Sequence, residues 1–156
     1  MEPSLSKHHK NLSAIIHIST FSKYIIPFGN FILPLILWTS NKKESGFVDY
    51  NGKQALNFQI SILLYSIILG IIAIPFFIFS IWDVAGFMDI IEHNRHHIDL
   101  EFDEIFHLGH GFLYAGIAGL IALGIFLLDV ICTITATIRT NEGLRYKYPL
   151  TVRFIK

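Results

Sequence analysis

Charge is absent, or nearly so, from two long stretches of this 156-residue chain. Ala55–Trp82 carries none over 28 residues, and Gly111–Ile138 carries only Asp129 over the same length. As helices rising about 1.5 Å per residue, each would be about 42 Å long. Bilayer hydrocarbon is about 30 Å thick and takes about 20 apolar residues to cross. Both stretches therefore read as transmembrane helices with length to spare for tilt, and an ordinary soluble domain is excluded.

Other shortages narrow the class further. The single cysteine, Cys132, lies inside the second apolar stretch, so no internal disulfide can form. Twelve basic residues balance twelve acidic ones, so no net charge points to nucleic acid. The sequence holds no glycine-rich phosphate loop, no Ser-His-Asp arrangement and no aromatic-basic nucleic-acid surface. After the basic start MEPSLSKHHK the apolar stretch is too long and too spotted with polar residues for a signal peptide, and no A-x-A site follows. With 53% hydrophobic residues, the chain reads as one small membrane domain (1–156) with no cofactor.

What charge remains sets a topology, because Lys and Arg mark the cytoplasmic side. Lys7 and Lys10 precede the first apolar segment, and Lys42, Lys43 and Lys53 follow it. Arg139, Arg145, Lys147, Arg153 and Lys156 form a basic tail over 139–156, whereas Asp83–His110 has only Arg95 against seven acids. Both termini are then cytoplasmic and 83–110 is exoplasmic. Leu12–Trp38 must go in and come back. Pro27-Phe28-Gly29-Asn30 and Pro34 interrupt it, so it reads as a broken hairpin of two short helices, Leu12–Ile26 and Phe31–Trp38. One kinked span with an outside N-terminus is the alternative. The fold class is all-α membrane: a broken hairpin plus two long spans, joined by a polar connection that could itself be helical.

Two constellations could carry chemistry. Asp129 lies nine residues, about 14 Å, from the cytoplasmic end of its span. A carboxylate there costs about 2.5–3.5 kcal/mol on insertion scales and needs a partner. Matching depths fall near Tyr65 and near Lys23. The pair could serve a proton or ion relay, or it could simply fix the hairpin.

The second is a doubled spacing, Asp89-x-x-x-His93-x-x-His96 and Asp103-x-x-x-His107-x-x-His110. On a helix each places an acid and two imidazoles along one face, a ligand set suited to zinc or another transition metal. The alternative is a polar amphipathic segment lying on the membrane surface. Gly116, Gly119 and Gly124, with nearby alanines, form a small-residue face that could seat another helix.

Three pieces go beyond pattern: Ile25-Ile26-Pro27-Phe28-Gly29-Asn30, Ala55-Leu56-Asn57-Phe58-Gln59-Ile60-Ser61, and Tyr148-Pro149-Leu150-Thr151-Val152-Arg153-Phe154-Ile155-Lys156. Through them the chain resembles a widespread bacterial family of small membrane proteins of unknown function. That family is similar in turn to the twenty-kilodalton inner-envelope (Tic) component of chloroplast protein import. Pro27, Gly29, Asn30, Asn57, Gln59, Tyr148, Pro149 and Arg153 carry the likeness. The stretch 83–110 departs from it, since members have only a short connection there. The resemblance implies a four-helix-like fold in a bacterial inner (plasma) membrane with cytoplasmic termini, no established enzymatic activity, and an accessory or structural role in a larger translocation or envelope complex among membrane lipids. A metal- or proton-handling protein using 83–110 or Asp129 is the alternative function.

Overall fold

The computed structural model describes residues 5–93 and 102–156, with side chains except those of 83, 87, 89–93 and 102–112. Its elements are α1 (Lys7–Ile18), a 3-10 helix (Ser19–Tyr24), α2 (Gly29–Asn41), α3 (Gly46–His93) and α4 (Phe102–Asn141), with no strand among the described residues. The protein is all-α.

The start of the chain is helical for local reasons. Ser6 caps α1 by accepting from the His9 amide at 3.2 Å, satisfying a first-turn donor that has no intrahelical partner. The helix thus begins at Lys7, five residues before the expected Leu12. The break falls where expected, but its mechanism differs. Phe28, not Gly29, takes the left-handed conformation, with φ 59. Gly29 opens α2 instead, because a Cβ there would stand 2.7 Å from the Ser22 carbonyl carbon. Pro34 lies inside α2 and does not end it. At 12 and 13 residues, α1 and α2 are about 18 and 20 Å long, too short to cross bilayer hydrocarbon.

Helices α3 and α4 run to 48 and 40 residues. Within them Gly46–Gly86 and Leu113–Asn141 are long and apolar enough to cross a membrane, by length and composition. Both continue past the uncharged stretches into 83–93 and 102–110.

The described chain forms two compact units, Met1–Leu64 with Phe126–Lys156, and Tyr65–Ile125. The first contains the buried core, in which Ile16, Trp38, Val48, Ala55 and Leu56 pack together with Leu12, Leu37 and Ile155 against them. Gly52 lets the Trp38 indole lie directly on α3, since any Cβ at 52 would overlap the ring. The indole N–H donates to Asp49 Oδ1 at 2.9 Å, and Lys53 pairs with the other Asp49 oxygen at 2.6 Å.

The second unit is mostly outward-facing apolar surface, with residues such as Ile71, Phe79 and Leu120 more than two-thirds exposed. Phe76 and Tyr114 touch across it, 4.9 Å between ring centroids. The small-residue face is not closed by neighbours: among the described residues nothing lies within 4 Å of a Cβ built on Gly116, Gly119 or Gly124.

Candidate functional site

Polar side chains inside the first unit form two connected chains. The first centres on Asp129, only 2% exposed although its helix is apolar. Lys23 Nζ pairs with Asp129 Oδ2, and Gln59 Nε2 donates to Oδ1 at 2.8 Å. Gln59 Oε1 in turn accepts from Asn30 Nδ2 at 2.9 Å. The 3-10 helix, α2, α3 and α4 each contribute one member. Both Asp129 oxygens are thus occupied by protein donors, which compensates the burial of the charge.

The second chain runs through His17, 0% exposed. Asn51 Nδ2 donates to the Phe47 carbonyl at 2.9 Å, which fixes its amide orientation. Asn51 Oδ1 therefore faces both His17 Nε2 at 3.1 Å and the Thr140 hydroxyl at 3.2 Å. An amide oxygen only accepts, so Nε2 carries the imidazole proton. Nδ1 is left to accept from the Tyr148 hydroxyl at 2.9 Å. Burial pushes the His17 imidazole down to about 4, against the smaller opposing effect of its Asn51 hydrogen bond. Burial likewise pushes the Tyr148 phenol well above its ordinary value. Both groups are neutral at physiological pH.

The segment after α4 is tied back by side chains in place of a partner strand. Asn57 Oδ1 accepts from the Phe154 and Ile155 amides at 3.0 and 2.8 Å, while Asn57 Nδ2 donates to the Ile155 carbonyl at 2.9 Å. Ser61 Oγ accepts from the Val152 amide at 2.9 Å. Tyr148 stacks on Phe58 with centroids 4.1 Å apart.

The residues singled out in sequence thus fall into three groups. Lys23, Asp129, Asn30, Gln59 and Tyr148 lie in these chains, and Asn57 holds the tail. Tyr65 belongs to the second unit. Pro27 is in the turn before α2, Pro149 in an exposed turn, and Arg153 is exposed on the tail. The third group is the metal set. The side chains of Asp89, His93, His96, Asp103, His107 and His110 lie outside the described residues, and no metal-holding cluster occurs among the described ones.

Sequence reasoning missed His17, Asn51 and Thr140. The signal was present: His17 is the one strongly polar residue within Leu12–Ile18 apart from Ser13, and it falls on the buried face with Ser13 and Ile16. Chemically, the two chains connect elements. Their donors and acceptors bond to one another, and neither presents an activated nucleophile.

A family profile described as the magnetosome magnetite crystal formation protein family matches residues 8–155. The chain belongs to that family. This overturns the resemblance to the Tic-like family. The residues on which that resemblance rested are largely those that clamp the tail and join the helices: Asn30, Asn57, Gln59 and Tyr148. They specify packing, and packing does not specify function. Neither a curated protein nor a solved structure matches the chain.

Proposed function

We propose that this magnetosome-family chain is a small, non-enzymatic, multi-pass protein of the magnetosome membrane, with an accessory or structural part in magnetite crystal formation. Its two long helices support the membrane placement: their apolar windows are almost wholly outward-facing, whereas the core helix of a soluble protein would be buried. The carrying observation for a structural role is Asp129. Its two oxygens are held by Lys23 and Gln59, so the charge in the apolar run joins helices and leaves no open position for a transported ion. Larger membrane assemblies are the expected partners, with both termini on the cytoplasmic face. Cross-linking and mass spectrometry on native membranes test this, and stoichiometric partners are the expected result. Release of the chain by alkaline carbonate would defeat the membrane placement. Labelling of a Ser45→Cys, Cys132→Ala chain from outside intact cells would defeat the topology.

A second reading is favoured by the doubled Asp-x-x-x-His-x-x-His spacing in 83–110. Magnetite is an iron oxide, and carboxylates with imidazoles bind iron. In this reading 83–110, the end of α3, the start of α4 and what joins them, handles iron as cargo. Elemental analysis after incubation with ferrous iron tests it, with loss of bound iron expected on His96→Ala plus His107→Ala.

A further inference from the structure

At one end of the first unit three segments meet: the start of α1, the turn between α2 and α3, and the turn after α4. A cleft of about 850 Å³ opens among them. Residues 7–10, 42–46 and 139–145 together carry six Lys or Arg against two acids. One of those acids, Glu44, lines the cleft itself, with His8 Nε2 3.8 Å from its carboxylate.

The cleft wall is built to present donors. Arg145 lies over the Tyr50 ring, 5.4 Å from its centroid, which orients the guanidinium while leaving its N–H fork in plane. Gly143 ends α4 with φ 91, its amide bonded to the Thr140 carbonyl at 2.9 Å and that of Leu144 to Arg139 at 2.9 Å. A side chain at 143 would be strained and would also stand 2.8 Å from Lys10 Cε, so glycine there lets Lys10 reach across to the Arg145 turn. His9 and Ser6 stand on the α1 wall, and Ser45 stands on the α3 wall. Leu5, Phe47 and Leu144 supply an apolar floor.

A guanidinium fork and hydroxyls facing one space, with the Lys10 ammonium beside Gly143, match the oxygens of a phosphate ester. The starts of α1 and α3 add partial positive charge and the ends of α2 and α4 offset it, so the side chains carry the preference. The apolar floor suits the carbon skeleton the ester would bring. We propose that this cleft binds the phosphate of a small anionic ester, with Arg145 as its principal ligand, Lys10 beside Gly143 adding charge at its edge, and a membrane lipid headgroup as the source. Only that source rests on the membrane placement above. The charge of the cleft does not.

The test uses the full chain in nonionic detergent, doped with phosphatidylglycerol or phosphatidylcholine, with retained lipid counted by native mass spectrometry. The wild type is expected to favour phosphatidylglycerol, and Arg145→Gln or Lys10→Gln should each lower that preference about fivefold. Arg145→Lys, which keeps the charge and loses the fork, should fall between. Arg153→Gln, on the tail held by Asn57, should change it little. Unchanged preference in Arg145→Gln, or an equal fall in Arg153→Gln, overturns the proposal, since the latter reads net charge alone. A parallel titration follows ³¹P line width of glycerol phosphate without lipid. Broadening that Arg145→Gln abolishes, with no lipid preference, keeps the phosphate site and rejects the lipid source. No broadening and no preference rejects the site, whatever carbonate extraction says of the membrane placement.

Discussion

Lys23 and Asp129, 106 residues apart, form an ion pair whose two ends are unequally buried: the lysine side chain is 22% exposed and the aspartate 3%. A lone lysine there has a long, partly open side chain that can redirect its ammonium toward the membrane surface, while the short, enclosed aspartate cannot. Lys23→Met should therefore cost about 3–5 kcal/mol in detergent unfolding, the usual penalty for stranding a buried charge. Asp129→Asn should cost less, and the double change less than Lys23→Met alone. Additive losses in the double-mutant cycle would show that the two side chains do not support each other.

His17 gives the unit an acid-labile joint. Its folded-state value of about 4 lies below the ordinary 6.5, so the unfolded chain binds the extra proton first as pH falls. The stability it lends is complete above pH 6.5 and drains away between 6.5 and about 4. The difference of about 2.5 units corresponds to about 3 kcal/mol. Denaturant midpoints at pH 7.5 and 4.5 should separate accordingly, and His17→Gln should flatten the difference. A His17→Gln chain with the same acid sensitivity as the wild type would place the effect elsewhere.

Asn57→Ala removes three hydrogen bonds from the tail at once. At about 1 kcal/mol each net, the tail should detach without the helices melting. Trypsin cleavage after Arg153 should then accelerate by at least tenfold, on the order of the factor that 1.4 kcal/mol supplies, with helicity by circular dichroism unchanged. Equal cleavage rates in the two chains would mean that Asn57 does not hold the tail.

Gly52→Ala should destabilise the first unit by about 1–3 kcal/mol, because the added methyl overlaps the Trp38 indole in a packed core. Trp38→Leu in the same chain should recover part of that loss by making room. The recovery is incomplete because the indole donor to Asp49 is lost as well. A Gly52→Ala chain as stable as the wild type would contradict the observed packing.

Much of this was legible in the residues. The two apolar helices and the break near Pro27 follow from charge placement and proline chemistry, while helical rise narrowed the partners of Asp129 to depths near Tyr65 and Lys23, of which the fold pairs it with Lys23. Those signals are local or depend on depth alone. The join between His17 and Tyr148 is neither local nor periodic, and an imidazole among isoleucines does not announce its acceptor. Asn57 was conspicuous in sequence, yet its task was hidden, because an amide that stands in for a neighbouring strand leaves no pattern in the segment it holds. The likeness to a protein-import family failed for a related reason: residues that hold helices together read strongly in sequence and say little about what the assembly is for.

Tyr148 follows His17 by 131 residues and completes its hydrogen bonding. During synthesis α1 must wait, with one imidazole nitrogen open, until everything up to the tail has left the ribosome. A nascent or prematurely stopped chain would thus carry both apolar helices and still lack the contacts that finish its core. Such a chain gives the cell's proteases a handle that the tail, once clamped, conceals.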